Sequence, residues 1–421
     1  MPTSLNLQRN SEVFFSTVDI SGGAAITSLT PSNTWKLEVL AGFAATASVA
    51  TQDITPDESG TSPDRSVQRF NTAINPVEWN LQVYLRPTGV VNGAAAGGAG
   101  AGTNTTGNVK PLADWFMWQA LISNTSPSSA TEQSVWRTGG LMYTNTAPAV
   151  TYAWPSRTNF SSHQQNHMYL KLDNVIYQVQ NAVVGQATID AGIDEIATTT
   201  WTGNGTSLVE LTGGLKDIAV GVFGGLNSVG TPVAANANAA ALSKAANYHP
   251  FGTMNVAGVL TTNSYIKNRL STLTVNHTNA GGTLSTYSFP VTAMSLTYNN
   301  NVTYLTPEEL STLNVPIGQF VGARTITGSS TMYLRSGTNE SAQLLRNISA
   351  DTRTNSAQTA NANLIIGGAT NPFVSFFLPA VQFNFPQIAL DDIVAVTSDF
   401  LAQEPRTTKG DGGELIITAI K

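Results

Sequence analysis

The chain contains no cysteine, and only 11% of its 421 residues are charged. The absence of cysteine excludes disulfide bonds, thiolate nucleophiles and cysteine-ligated zinc. A soluble domain ordinarily has about 25% charged residues, so neutral polar side chains must cover much of this surface. Hydrophobic residues still make up 41% of the sequence, which permits packed cores and argues against wholesale disorder.

Two further absences concern partners. The net charge is −6, from 20 basic and 26 acidic residues, and the sequence has no basic stripe. This balance argues against a protein that grips nucleic acid by its phosphates. No apolar run reaches 18 residues and the first residues lack an apolar core, so we expect neither a membrane span nor a signal peptide.

Patterns of catalytic residues are also missing. The sequence has neither the Gly-x-Ser-x-Gly motif nor a phosphate-binding P-loop. His163 and His167 are four residues apart, but Gln164 stands where a zinc protease requires glutamate, and the polar flanks favour a loop. We interpret this pair as structural, and we expect no enzymatic activity, no metal site and no cofactor.

Strand patterns dominate what is present. Apolar and polar residues alternate along residues 79–86, which predicts a half-buried strand. Residues 111–122 start with proline and carry apolar residues at helical spacing, so we predict a short buried helix there, and a second helix at 339–348. The Gly/Ala-rich tract 88–110 is interpreted as a long flexible loop. The chain as a whole is predicted to be mainly β.

The two halves of the sequence repeat each other. Tyr-Leu-Arg at 84–86 recurs at 333–335, and in both halves a predicted helix follows. The pattern apolar-acid-acid-Ile-small at 193–197 recurs at 390–394. Three matches in the same order indicate an internal duplication, and a duplicated unit usually means a repeated surface.

Composition divides the chain between these repeats. Residues 213–262 are rich in glycine and alanine and are interpreted as a connector. We therefore predict a first domain at 1–212, which contains the loop 88–110, and a second domain at 263–421.

Paired carboxylates occur at equivalent positions of the repeats, as Asp194 with Glu195 and Asp391 with Asp392. Such pairs can bind a cation or act in acid–base chemistry. A single active site would not require them in both repeats. We therefore interpret the four residues as an acidic rim or an interface contact.

Several stretches resemble a known family. Residues 299–310 (NNNVTYLTPEEL) run into 315–324 (VPIGQFVGAR) and 325–334 (TITGSSTMYL). This sequence resembles the tail tube proteins of tailed bacteriophages, particularly those with contractile tails. Residues 189–203 are similar to the family's segment before a Trp-x-Gly turn, and residues 378–400 are similar to its closing strands.

The resemblance implies two tandem β-barrel or β-sandwich domains of the tube type, like haemolysin-coregulated protein, each with a short flanking helix and long loops. Such units form rings that stack into a tube, and the inner wall of the tube is a continuous β-barrel. On this basis Trp79, Tyr84, Arg86, Tyr333 and Arg335 are candidates for assembly strands or strands that line the lumen.

The resemblance also implies partners. The chain would bind copies of itself, as a trimeric ring with pseudo-sixfold symmetry or as a hexameric ring. It would also meet the baseplate or tip, the tail terminator, the tape measure and, in a contractile tail, the sheath. DNA would pass through without specific binding, and the protein would be assembled in the host cytoplasm and reside in the virion.

Two other readings share the composition. A β-rich adhesin or carbohydrate-binding module explains the low charge and the many Asn and Thr residues, but it predicts an export signal. A decoration or capsid protein of a virion is the other alternative.

Overall fold

The computed structural model describes most of both halves of the chain. The described residues are 11–21, 34–54, 66–91, 109–122, 150–152, 166–172, 175–210, 265–278, 282–306, 314–354, 360–367, 373–384, 387–389, 393–403 and 414–420. The predicted connector at 213–262 and most of the loop 88–110 lie outside them, so the predicted domain boundaries stay predictions.

The described residues form two series of elements, which we call unit 1 and unit 2. Unit 1 consists of β1 Ser11–Ser16, β2 Thr34–Leu37, β3 Ala44–Thr46, β4 Val49–Ile54, β5 Gln68–Ile74, β6 Val77–Tyr84, β7 Pro87–Val91, β8 Val109–Leu112, α1 Trp115–Ile122, β9 Val150–Tyr152, β10 Asn166–Leu172, β11 Val175–Gly192, β12 Thr198–Gly205 and β13 Ser207–Glu210. Unit 2 consists of β14 Thr272–Thr278, β15 Leu284–Pro290, β16 Ala293–Asn299, β17 Val302–Leu305, β18 Gly318–Val321, β19 Thr325–Tyr333, α2 Ser341–Thr354, β20 Ala360–Ile366, β21 Phe373–Leu378, β22 Val381–Phe383, β23 Gln387–Ala389, β24 Ala395–Ala402 and β25 Ile416–Ile420.

The prediction of a mainly β fold is confirmed. Burial alternates strictly along β6, as the sequence pattern requires. Helix α1 starts four residues later than predicted because Val109–Leu112 pairs with β7 as a strand, and α2 runs six residues further than predicted. Among the described residues, no helix is long and apolar enough to cross a membrane.

Each unit contributes one outer sheet of antiparallel strands. In unit 1 the order is β2, β1, β10, the first part of β11, and β13. In unit 2 the order is β15, β14, β20, β21 and β25, and β9 of unit 1 pairs with the edge at β25. The two outer sheets therefore have the same strand order.

A third sheet, which we call the shared sheet, contains strands of both units. Unit 1 supplies β3, β6, β12 and the second part of β11, in that order. Unit 2 continues it with β16, β19, β24 and the pair β22 and β23, both of which bond to the far side of β24. The units join where β11 pairs with β16, with Ile189 opposite Leu296.

The duplication extends to the register of the strands. In unit 1, Tyr84 at the end of β6 stands opposite Thr198 of β12. In unit 2, Tyr333 at the end of β19 stands opposite Ala395 of β24. The two repeated sequence patterns therefore meet at the same position of the same strand pair, once in each unit.

The hydrogen bonds at this position also repeat. The Leu85 N–H donates to the Ala197 carbonyl at 2.9 Å, and the Leu334 N–H donates to the Val394 carbonyl at 3.0 Å. These four residues belong to the Tyr-Leu-Arg and acidic-pair patterns that the sequence repeats. A chance match of short strings would not place the same backbone bond in both units.

At one position of each unit, an aromatic residue on one strand faces a glycine on the neighbouring strand. The strand that carries the aromatic residue in unit 1 is equivalent to the strand that carries the glycine in unit 2. In unit 1, Trp79 of β6 stands opposite Gly203 of β12. In unit 2, Gly328 of β19 stands opposite Phe400 of β24. A Cβ atom on Gly203 would lie 2.3 Å from the Trp79 ring, and one on Gly328 would lie 2.3 Å from the Phe400 ring. Both units fill the same space with one aromatic ring, so each requires glycine opposite it.

Aromatic rings connect the layers of the core. The Phe15 ring of β1 packs edge-on against Trp79, with 5.5 Å between centroids, which joins the outer sheet of unit 1 to the shared sheet. Trp118 of α1 packs edge-on against Trp201 at 4.9 Å and also contacts Phe376 of β21 at 6.4 Å. Helix α1 therefore packs against both units.

Alanine at either of the two facing glycines should destabilise the fold. We expect Gly203→Ala and Gly328→Ala each to lower the free energy of unfolding by about 3 kcal/mol, because the added methyl group overlaps an aromatic ring and a carbonyl oxygen. Gly318→Ala is the matched control, since a Cβ there meets no atom within 4 Å. Denaturant unfolding measures the effect, and equal midpoints for all three variants would contradict it.

Candidate functional site: the polar face of the shared sheet

One face of the shared sheet packs on the core and the other face is polar. Alternate residues of its strands are half-buried or exposed while their neighbours are buried. The polar and aromatic side chains on this outward face are Thr46, Glu78, Asn80, Gln82, Tyr84, Gln186, Thr188, Asp190, Thr198, Thr200, Thr202, Asn204, Ser295, Thr297, Asn299, Thr325, Thr327, Ser329, Thr331, Tyr333, Gln382, Thr397 and Asp399. We call this surface the polar face.

The charge on the polar face has one sign. Its charged side chains within the described strands are the carboxylates Glu78, Asp190 and Asp399, and none of the outward positions holds lysine or arginine. Hydroxyl and amide groups occupy most of the rest. The face is therefore hydrated, weakly negative, and continuous across both units.

Side-chain hydrogen bonds connect neighbouring strands along this face. The bonded pairs are Gln82 with Thr198 at 3.1 Å, Thr188 with Thr297 at 3.3 Å, and Thr331 with Thr397 at 3.0 Å. The middle pair crosses the junction between the units. Cross-strand pairs of this kind stabilise a sheet, so the polar face also helps to hold the junction together.

The predicted lumen residues fall on both faces of the sheet. Trp79 is buried on the core face, and its indole N–H donates to the Asn204 carbonyl at 3.3 Å. Its strand β6 contributes to the polar face, but its side chain does not. The roles of these residues in assembly stay predictions.

Tyr84 and Arg86 contact the beginning of unit 2. The Tyr84 ring packs edge-on against Tyr265, with 5.8 Å between centroids. The Arg86 guanidinium lies 5.4 Å from the centre of the same ring and forms an ion pair with Glu38. Only 6% of Arg86 is exposed, so this arginine belongs to the junction between the units.

The equivalent residues of unit 2 are uncovered. Tyr333 is 40% exposed, against a half-buried Tyr84, and Arg335 is exposed, whereas Arg86 is buried. The same two side chains are thus covered in one repeat and open in the other.

Of the two predicted acidic pairs, only the pair in the first repeat lies among the described residues. Asp194 and Glu195 are exposed on the turn between β11 and β12, and Asp194 accepts a hydrogen bond from the Arg269 guanidinium at 2.5 Å. This ion pair joins unit 1 to unit 2. Asp391 and Asp392 lie outside the described residues, so the interpretation as rim or interface stays a prediction.

The histidine pair is placed in part. The prediction of a loop is wrong for His167, which is buried in strand β10 with its Nδ1 atom 3.2 Å from Gln178 Nε2. His163 lies outside the described residues. Within the part of the chain that is described, no group of three or more histidine, aspartate or glutamate side chains is placed to hold a metal ion.

A buried carboxylate lies beneath the polar face. Asp114 precedes α1, is 1% exposed, and accepts a hydrogen bond from the Trp201 indole N–H at 2.9 Å. Burial raises the pKa of Asp114 to about 6, and the hydrogen bond and the charge of Arg86 offset only part of this effect. Sequence reasoning predicted a buried helix over residues 111–122 but did not single out Asp114, because an aspartate is normally exposed.

Two exposed hairpins carry apolar side chains. In unit 1, β4 and β5 expose Val49, Ile54 and Phe70; in unit 2, β17 and β18 expose Leu305 and Phe320. The hairpins occupy the same place in the two units, each between a strand of the shared sheet and the next. Between them, the Ile74 N–H of β5 donates a hydrogen bond at 2.8 Å to the carbonyl of Asn314, which precedes β18.

Sequence reasoning did not identify these hairpins. It expected alternating strands such as 79–86 to turn a polar face to a lumen, but it did not identify one sheet that continues this face across both units. The signal for the face was the run of threonine, serine and asparagine at every second position of the predicted strands. The signal for the hairpins was a phenylalanine that follows a polar residue in a short strand, as at Phe70 and Phe320.

The fold is therefore that of a duplicated, mainly β structural unit whose two copies share one sheet. The tail tube protein pb6 of Escherichia phage T5 is 26% identical over 425 aligned residues, which cover 98% of this chain and 75% of that protein. A match along nearly the whole chain confirms the resemblance to bacteriophage tail tube proteins that the sequence indicated.

No protein-family model matches the chain. A protein in the cryo-EM structure of the anti-feeding prophage baseplate is 14% identical and aligns with 31% of this chain and 89% of its own, at a TM-score of 0.23. At this TM-score, nothing about this chain is inferred from the match.

The buried Asp114 should make stability depend on pH. Its pKa is raised on folding, so its contribution is fully present below the ordinary value of 3.8 and is lost as pH rises through about 6. We expect the wild type to lose about 2 kcal/mol from this group between pH 4 and pH 7, and Asp114→Asn to remove that loss. Urea unfolding across this range measures it, and parallel profiles for the two proteins would disprove the assignment.

Proposed function

We propose that this chain is a structural protein of a bacteriophage tail tube, a component of the virion that polymerises into stacked rings through which DNA passes. One observation carries the proposal: the chain matches a phage tail tube protein along 98% of its length. The shared sheet explains how such a chain builds a wall, because two equivalent units already form one continuous surface.

A ring follows from the two ends of the shared sheet. Among the described residues, β3 at one end pairs only with β6, and β22 and β23 at the other end pair only with β24. Exposed strand edges present unpaired N–H and C=O groups and are templates for pairing with another chain. Copies that pair end to end close into a barrel, which removes both edges.

The size of that barrel favours the trimer. Each unit supplies four strand positions to the shared sheet. With strands about 4.8 Å apart and tilted by about 40°, three chains close a barrel of 24 strands about 50 Å across between backbones. Six chains would give roughly twice that width. The smaller barrel passes a DNA duplex with a layer of water, and the fusion of both units into one sheet supports the pseudo-sixfold arrangement.

The polar face suits the lumen of such a tube. Its carboxylates Glu78, Asp190 and Asp399 repel phosphate, and the positions around them hold no cation that would retain it. Hydroxyl and amide groups stay hydrated, and the two aromatic residues of the face, Tyr84 and Tyr333, lie only at the ends of β6 and β19. A wall of this chemistry lets DNA slide and does not bind it.

The exposed hairpins suit contacts between rings. The Phe70 and Phe320 side chains are 46% and 62% exposed, one on each hairpin, so a ring of duplicated units presents them at regular intervals. Burying them against a neighbouring ring would stabilise the stack through the hydrophobic effect. The predicted loop 88–110 would add to this contact.

The remaining partners follow from the role. A tube of stacked rings has two ends, which would contact a baseplate or tip and a tail terminator. Its lumen would hold a tape measure before DNA enters. In a contractile tail, a sheath would cover its outer surface. The proposed role is structural and includes no catalysis.

Electron microscopy of the purified chain tests the proposal. We expect rings or tubes with a central channel, and native mass spectrometry of the rings should give three chains. Six chains would overturn the trimer and leave the tube. Monodisperse monomers at all concentrations, with or without nucleating tail tip, would overturn the tube and favour an adhesin or decoration protein.

Added positive charge on the polar face should make the tube retain DNA. We expect Thr200→Lys with Thr397→Lys to bind a short fluorescent DNA duplex in assembled tubes at low salt and to release it at high salt, because lysines replace neutral hydroxyls in the lumen. Thr286→Lys with Ser288→Lys adds the same charge on the outer sheet of unit 2. Equal retention by both double variants would show that the polar face does not line the channel.

A further inference from the structure

The internal junction shows how one unit binds the next. At this junction β11 of unit 1 pairs with β16 of unit 2, and Ile189 stands opposite Leu296 while Thr188 stands opposite Thr297. Outside the backbone ladder, Asp194 and Arg269 form an exposed ion pair across the junction. The two ends of the shared sheet have strand edges equivalent to those of β11 and β16.

The duplication identifies the equivalent residues at one end. Ile189 of unit 1 is opposite Thr199 in the pairing of β11 with β12, and Ile388 is opposite Val396 in the pairing of β23 with β24. Thr199 and Val396 are equivalent, since each follows the residue opposite the repeated tyrosine. Ile388 therefore corresponds to Ile189, and β22 with β23 corresponds to the second part of β11.

The same reasoning identifies the other end. Ala45 of β3 stands opposite Trp79, and Leu296 of β16 stands opposite Gly328. Trp79 and Gly328 are equivalent, because each faces the other member of an aromatic–glycine pair across the same strand pair. Ala45 therefore corresponds to Leu296, and β3 corresponds to β16.

We propose that neighbouring copies of this chain pair β23 with β3 in the register of the internal junction, so that Ile388 lies opposite Ala45 and Gln387 lies opposite Thr46 of the next copy. This inference rests on the proposed self-assembly and specifies its contact. The partner is a second copy of the chain, because the edge that β23 would meet is the duplicate of the edge that β11 already meets.

Exposed side chains beside the edge support the same partner. Tyr84 and Arg86 are covered by Tyr265, which stands at the entry to the next unit. Their equivalents, Tyr333 and Arg335, are exposed. A next copy bound in the proposed register would bring its own unit 1 to the place that unit 2 occupies beside Tyr84, and would cover these two side chains.

Paired cysteines test the register, because the natural chain has no cysteine. We expect Thr46→Cys with Gln387→Cys to form disulfides between chains on mild oxidation, which denaturing electrophoresis without reductant shows as a covalent trimer when the ring closes. Thr188→Cys with Thr297→Cys is the positive control, since these residues are opposite in the internal junction and should cross-link within one chain.

A register control separates the two proposals. Thr46→Cys with Ala389→Cys shifts one partner by two residues and should cross-link at least tenfold more slowly. Rings in the microscope with equal cross-linking of both pairs, or with none, would overturn the register and leave the tube. Absence of rings from the unmodified chain would instead overturn the proposed function.

Charge reversal gives a second measurement that does not depend on disulfide geometry. We expect Arg335→Glu to lower the yield of rings at least tenfold without changing the thermal unfolding of the monomer, because Arg335 is exposed in the single chain. Arg346→Glu, on the exposed side of α2, is the matched control and should assemble normally. Normal assembly of Arg335→Glu would remove Arg335 from the proposed contact.

Discussion

The structure depends on the pairing of β11 with strands of two sheets. Its first part bonds to β10 and β13 in the outer sheet of unit 1, and its second part bonds to β12 and to β16 of unit 2. A buried strand must satisfy its backbone N–H and C=O groups on both sides. Among the described residues, unit 1 has no strand of its own to pair with one side of the second part of β11. Strand β16 of unit 2 pairs with that side, so the two units form one continuous sheet.

The repeats have kept this pairing while exchanging the side chains that fill it. Trp79 faces Gly203 in one unit, and Phe400 faces Gly328 in the other. A close-packed interior tolerates such an exchange only when both partners change together, since a ring opposite a second large residue would overlap it. What the two units share at this position is therefore the volume between the strands. The side chains can differ between the units while the register stays the same.

Local features were predictable from the sequence, and long-range ones were not. Alternation predicted β6, helical spacing predicted α1 with a start four residues too early, and the recurrence of Tyr-Leu-Arg with a following helix indicated the duplication. The pairing of Ile189 with Leu296 could not be predicted, because strands more than 100 residues apart carry no local signal of their register. Burial of Arg86 was missed for the same reason: its partner Tyr265 belongs to the other unit, and an arginine is normally exposed.

The low charge of the chain fits the roles that we propose for the edges and the polar face of the shared sheet. A charged side chain beside a strand that pairs with a copy of itself hinders that pairing, and natural sheets use such charges to prevent it. Cations on the polar face would hold phosphate. Neutral hydroxyl and amide groups meet both requirements, and they also bond across strands, as Thr188 and Thr297 do at the junction. Under the proposed function, the scarcity of charge and the abundance of threonine would both follow from one constraint: the sheet pairs with other copies along its edges and binds nothing on its polar face.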